Sequence, residues 1–166
     1  MELHWSQGEP RIGGPLLLDT CVYIDMLQSH APASVDALLE SRPCNHSAVC
    51  LAEMTHLFGR LDPRHPATPA VLRLLAETIE KIPDRRLYAP DARAWGEAGL
   101  LAGEIARLRG SAKAASARRS VNDALIFLQA RHLGASVLTR NVGDFDALEQ
   151  LAPGGHVVFY RRADLS

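Results

Sequence analysis

The chain is short of the residues from which several common chemistries are built. Its three cysteines, Cys21, Cys44 and Cys50, are an odd number with no CxxC spacing. Neither a disulfide framework nor a thiolate zinc site is indicated, and a reducing cytoplasm is the expected setting. Small buried hydrophobes are the ordinary role for such cysteines. The seven histidines show no HExxH or other ligand spacing, which removes the helix-borne zinc hydrolases; they read as surface or incidental positions. No apolar run approaches the ~20 residues of a membrane helix. The stretch Pro15–Leu18 is too short for the core of a signal peptide, so a protein that is not exported is expected. With a formal net charge of −1 there is no global basic field. Contact with a nucleic acid would have to come from a local cluster.

What is present suits one ordinary globular domain. A chain of 166 residues, 47% hydrophobic and 22% charged, can bury roughly two-thirds of its unfolded surface and is not a disordered composition. Residues 1–14 read as a loose leader and 15–166 as a single domain, with no repeat or low-complexity segment. Leu16-Leu17-Leu18 is a wholly apolar run ended by Asp19, which suits a buried parallel strand. Further strands are expected at Pro43–His46, Arg86–Ala89, Ala135–Thr139 and Val157–Tyr160. Helices are expected over Val22–Gln28, Pro32–Ser41, from an N-cap at Ser47 to about Leu61, Ala70–Lys81, Asp91–Arg109, Ser120–Leu133 and Val142–Leu148. Gly96, Gly99 and Gly103 weaken the long Asp91–Arg109 helix. Gly110–Arg119 reads as a loop, and Gly134 as the glycine that closes the Ser120 helix. Strands alternating with helices predict an α/β/α three-layer domain with a mostly parallel central sheet of four to five strands.

In such a sheet ligands gather outside the carboxyl ends of the strands. Asp19 falls at one of those ends, and Asp144 lies just past the strand ending at Thr139. Each acid has a plain structural role open to it. Asp19 could cap the following helix, while Ser120-x-x-Asp123 and Asn141-x-x-Asp144 have capping-box spacing. Glu53 is harder to explain that way. It shares one apolar helix stripe with Val49 and Leu57, and no Lys or Arg lies within a turn of it. A core-edge glutamate bonded to backbone amides is the other reading. Asp123 likewise shares a face with Ile126, Phe127 and Ala130. Several inward carboxylates at one rim repel one another unless a cation compensates them, and oxygen donors select a hard ion such as Mg²⁺ or Mn²⁺.

At these residues the chain resembles the PIN-domain family, and most of all its VapC-type toxins. The segments that carry the likeness are LLLDTCVYID (16–25), SAVCLAEM (47–54), LAGEIARLRG (101–110) and SVNDALIFLQARHLGASVLTRNVGDF (120–145). The resemblance implies a metal-dependent endoribonuclease with Asp19, Glu53, Asp123 and Asp144 as its acids. Thr20, Ser47, Thr139 and Asn141 would support them. It further implies an RNA substrate, a homodimer and a small cognate antitoxin that silences the enzyme. Asp146 lies close enough in sequence to compete with Asp144, which is favoured by its place before Phe145. Lys113, Arg118, Arg119 and Arg140 are candidate contacts for RNA phosphates or for an acidic stretch of the antitoxin, with a solvated basic face as the alternative. A PIN-fold RNA-processing nuclease outside a toxin pair and an inactive PIN-like binding module are the competing readings of the whole chain. The leader before Leu16 and the bulky Phe127 depart from the family's usual pattern.

Overall fold

The computed structural model describes residues 3–110 and 114–163. Six strands form one parallel sheet: β1 (His4–Trp5), β2 (Leu16–Leu18), β3 (Cys44–Ser47), β4 (Leu87–Tyr88), β5 (Ser136–Thr139) and β6 (Val157–Phe159), in the order β1-β6-β5-β2-β3-β4. Between them run α1 (Thr20–Leu27), α2 (Ala33–Ser41), α3 (Ala48–Arg60), α4 (Thr68–Glu80), α5 (Ala92–Leu108), α6 (Ala114–His132) and α7 (Val142–Leu151). All three residues of β2 and of β6 are buried, whichever way their side chains point. Helices must therefore cover both faces of the sheet, as a parallel sheet requires. The fold is the expected three-layer α/β/α architecture.

Two sequence expectations need correction. The sheet has six strands rather than four to five, and the additional one comes from the segment read as a loose leader. His4 pairs with Val158, Trp5 pairs with Phe159, and Ser6 N donates to Phe159 O at 2.8 Å. A two-residue strand has no period to read, so nothing in the pattern announced it. The Ser120 helix also begins earlier. It starts at Ala114, which takes Arg118 and Arg119 out of a loop and onto α6. Ser120 and Asp123 then lie inside the helix, and the capping-box reading of Asp123 lapses. The run Ala114–Ala117 is a good helix former once α6 is anchored by its apolar second half.

Local rules explain the remaining boundaries. Ser47 Oγ accepts from Val49 N at 3.1 Å and caps α3; Asp91 caps α5 through Ala94 N at 2.8 Å. Gly134 (φ +60°) ends α6 in a Schellman turn, in which Ala135 N donates to Ala130 O at 2.9 Å. α5 runs unbroken through Gly96, Gly99 and Gly103, where an added Cβ would meet nothing within 4 Å. Gly155 is different. A Cβ there would lie 2.4 Å from the Phe127 ring, so the unusual bulk of Phe127 is accommodated against bare backbone just before β6.

Candidate metal centre at the sheet rim

The chain builds β2, β3 and β4 outward in one direction and then crosses back to lay β5 against the other side of β2. The strand order reverses between β2 and β5, which places a crevice at their carboxyl ends. Asp19 follows β2 there, and Thr139 ends β5. Thr139 Oγ1 donates to Asp19 Oδ2 at 2.6 Å, across the reversal point. Asp19 Oδ1 accepts from Thr20 N at 2.7 Å, so this residue also caps α1. Its side chain is buried, and burial pushes the carboxyl up. Hydrogen bonds from Thr139 and Cys21 work against that shift, and the charge of Glu53 adds to it.

Glu53 projects from α3 into the same crevice, half buried. Among the described residues no backbone amide bonds its carboxylate. Thr20 Oγ1 donates to one oxygen, and Asn122 Nδ2 donates to the other at 2.6 Å. Asp123 stands beside Asn122 on α6 and is only 6% exposed. It is pushed up to about 9 by burial first, then by the charges of Asp19 and Asp144 and a hydrogen bond with Asp144, with Glu53 contributing. Asn141, the N-cap of α7, joins the last two acids: its Nδ2 donates to Asp123 Oδ2 at 3.1 Å and to Asp144 Oδ2 at 2.9 Å. Burial also pushes Asp144 up, but Arg109 and Asn141 outweigh it, and this carboxyl lies below its ordinary value. Arg109 Nη1 donates to Asp144 Oδ1, and its Nη2 donates to Gly143 O at 2.6 Å. Of the two hydrogen-bonded acids, Asp123 therefore keeps the proton and Asp144 the charge.

The four acids thus share one rim, and Asp146 does not join them; its Oδ2 accepts from the exposed Gln150 Nε2 at 2.9 Å. Thr20, Thr139 and Asn141 bond the acids directly, whereas Ser47 acts on them only by starting α3. No three of the rim carboxylates bring one oxygen each within 4.8 Å of one another. Hydroxyl and amide side chains stand between them and bond the oxygens that face inward. The donors are all oxygen, and burial with mutual repulsion leaves them holding a proton at Asp123. That chemistry fits a hard divalent cation, which would take the proton's place.

The basic candidates are more dispersed. Arg118 and Arg119 are exposed on α6, and Lys113 lies outside the described residues. Arg140 is committed to an ion pair with Asp25 at 2.7 Å. Asp25 is fully buried, and it also receives Arg162 at 2.7 Å and the Tyr160 hydroxyl at 2.8 Å. Sequence reasoning missed Arg109, Asn122 and Asp25. The adjacency of Asn122 to Asp123 was the one available signal. Of the cysteines only Cys50 is fully buried as expected; Cys21 and Cys44 are half-buried, and Cys21 Sγ donates to Asp19 Oδ2 at 3.1 Å. Burial, then the Asp19 charge, pushes the Cys21 thiol up to about 12, far from a reactive thiolate.

No protein-family model and no curated protein matches this chain. Solved structures do. A chain of FitAcB from Neisseria gonorrhoeae superposes with a TM-score of 0.60 at 24% identity, covering 87% of this chain and 96% of that one. A chain of VapBC from Salmonella typhimurium, solved bound to DNA, gives 0.59 at 19% identity over 87% of this chain and 97% of that one. A chain of VapBC2 from Rickettsia felis, bound to a DNA fragment from their promoter, gives 0.58 at 16% identity over 86% and 96%. The chain has the PIN fold. The likeness spans almost the full length of each of these neighbours. Among the described residues no helix is long and apolar enough to cross a membrane.

Proposed function

We propose that this protein is a Mg²⁺- or Mn²⁺-dependent endoribonuclease, the toxin of a toxin–antitoxin pair. The observation that carries the reading is the rim itself: four acids from the end of β2, α3, α6 and α7 meet where the strand order reverses, and burial, followed by the charges of its neighbours, pushes Asp123 up to about 9. A purely structural cluster of this kind would be costly to keep. The PIN fold supports the reading, and so do the VapBC and FitAB complexes that share it.

Asp19, Asp123 and Asp144 would hold the cation, with Glu53 bound to it directly or through water. When bound, the ion supplies activation of a water nucleophile and stabilises the leaving oxygen. The protein's own groups set the geometry. Thr139 and Thr20 N fix the Asp19 carboxylate, Asn141 turns Asp123 and Asp144 toward each other, and Thr20 with Asn122 aims Glu53. Attack by water opposite the leaving 3′-oxygen would leave a 5′-phosphate and a 3′-hydroxyl. Arg118 and Arg119 offer exposed charge for RNA phosphates or an acidic part of an antitoxin. A homodimer neutralised by a small antitoxin in the cytoplasm completes the proposal.

The test is cleavage of an RNA panel with and without Mn²⁺, comparing wild type with Asp19→Asn. Metal-dependent cutting that is lost in the variant, with 5′-phosphate ends, is expected. Products ending in a 2′,3′-cyclic phosphate would overturn the mechanism, because they report attack by the RNA's own 2′-hydroxyl.

A further inference from the structure

A second cluster of metal-ligating side chains lies at the opposite, amino end of the sheet. His4 comes from β1, Glu9 from the turn that follows it, and His156 from the residue just before β6. One donor atom from each of the three lies within 4.8 Å of the other two. The His4 and His156 rings are 4.7 Å apart between centroids and tilted by 41°. His156 Nε2 and Glu9 Oε1 face each other at 3.9 Å, too far for a hydrogen bond. The other nitrogen of that ring, Nδ1, is 3.0 Å from Ser136 Oγ. Glu9 is held in the same manner. Its Oε2 accepts from Arg42 Nη1 at 3.2 Å, while Arg42 Nε donates to Gly14 O at 2.7 Å. The Arg42 side chain is 4% exposed, so it is a fixed support rather than a surface charge. His156 and Glu9 therefore have their far sides anchored and their near sides directed at the point His4 faces, as outer-shell partners arrange ligands around a metal.

We propose that His4, Glu9 and His156 form a Zn²⁺ site. Two imidazole nitrogens and one carboxylate oxygen are a borderline-soft donor set that zinc takes tetrahedrally, with a fourth position left for water beside the exposed His4. Ligand atoms at zinc distances stand about 3.3–3.5 Å apart, so the His156–Glu9 separation of 3.9 Å closes by about half an ångström. Mg²⁺ and Mn²⁺ prefer the all-oxygen rim, and the two ends of the sheet thus select different metals. The ion clips residues 4 and 9 to the start of β6, where a two-residue strand alone gives little pairing. The site stands apart from the nuclease reading and does not depend on it.

Zn²⁺ titration of chelator-treated full-length protein, by calorimetry and by thermal melting, tests the site. Wild type and the Asp19→Asn/Asp123→Asn double variant, each titrated in excess Mg²⁺ to occupy the rim, should bind Zn²⁺ at this site with equal affinity. Zinc at about 100 times its Kd should raise the melting temperature of both by about 5–10 °C. The His4→Ala/His156→Ala variant should lose the binding and the shift. The single change His4→Gln, at an exposed position that leaves folding intact, should weaken binding about tenfold or more. His65→Ala, an exposed histidine elsewhere, should change nothing. The proposal falls if wild type takes up no zinc, if the His4 variants bind it unchanged, or if the rim variant is the one that loses it.

Discussion

Replacing Asp123 by Asn should make the metal-free protein more stable, by an amount that grows with pH. An Asp carboxyl ordinarily titrates near 3.9, whereas Asp123 is pushed up to about 9 by burial and by the neighbouring Asp19 and Asp144 charges. A folded-state value above the unfolded one favours folding only while the group is protonated. Its contribution is therefore complete below about pH 4, declines through neutrality and is gone above about pH 9. At pH 7 the wild-type fold has lost about 3 × 1.36, or ~4 kcal/mol, relative to acid, and by pH 9 about 5 × 1.36, or ~7 kcal/mol. An Asn side chain cannot ionise, yet its amide can still donate to Asp144 and its oxygen can accept from Asn141. Wild type and Asp123→Asn should melt together at or below about pH 4, with the gap already opening at pH 5. At pH 7 the variant should be higher by up to about 8–16 °C, at 2–4 °C per kcal/mol for a domain of this size. The assay is circular-dichroism melting in EDTA at pH 5, 7 and 8.5, repeated with Mn²⁺, which should raise wild type far more than the variant. A gap that fails to widen with pH would refute the electrostatic account, and a variant less stable at every pH would point to a structural role for the carboxyl.

Three other changes probe the rim and its support. Thr139→Val removes the hydroxyl that donates to Asp19 Oδ2 at 2.6 Å and accepts from Asn141 N at 3.0 Å; a loss of about 1–3 kcal/mol in urea melts is expected, and none at all would mean that water replaces it. Arg109→Ala frees Asp144 from a partly exposed pair, whose small stabilisation is present above the ordinary carboxylate range and lost as pH falls through the lowered value. Calorimetry should show Mn²⁺ binding up to about fivefold tighter in that variant, and weaker binding would make Arg109 a support of the metal site rather than a competitor. Gly155→Ala drives a methyl to 2.4 Å from the Phe127 ring and should lower stability by about 1–3 kcal/mol. Phe127→Leu should recover part of that loss in the double variant, and additive losses would show that the two positions do not couple.

How far the sequence could be read depended on where each residue's meaning resides. Leu16–Leu18 was legible because a wholly apolar run closed by an acid is a local signal. Glu53 and Asp123 were legible because they interrupt apolar helix stripes. β1 was not, since His4 and Trp5 become a strand only through pairing with β6. The start of α6 was hidden by small and basic residues whose helicity depends on the apolar stretch that follows. Arg109 ends its own helix without any distinguishing pattern; it matters because the end of α5 comes to the start of α7. The meeting of His4 and His156 was not legible either, because they come from opposite ends of the chain and are brought together only by β1 joining the sheet beside β6.

β1 bears on the solution behaviour of the protein. Without β1, the edge of the sheet would be Val157-Val158-Phe159, a wholly buried apolar strand whose backbone donors and acceptors on one side would lose their partners. Open apolar edges of this kind recruit the strands of other molecules, and short, polar-flanked edges do not. His4–Trp5 is such a guard, with Arg161 stacked over the Trp5 ring at 4.7 Å. A chain shortened to begin near Leu16 would keep all four rim acids and still tend to self-associate as its concentration rises.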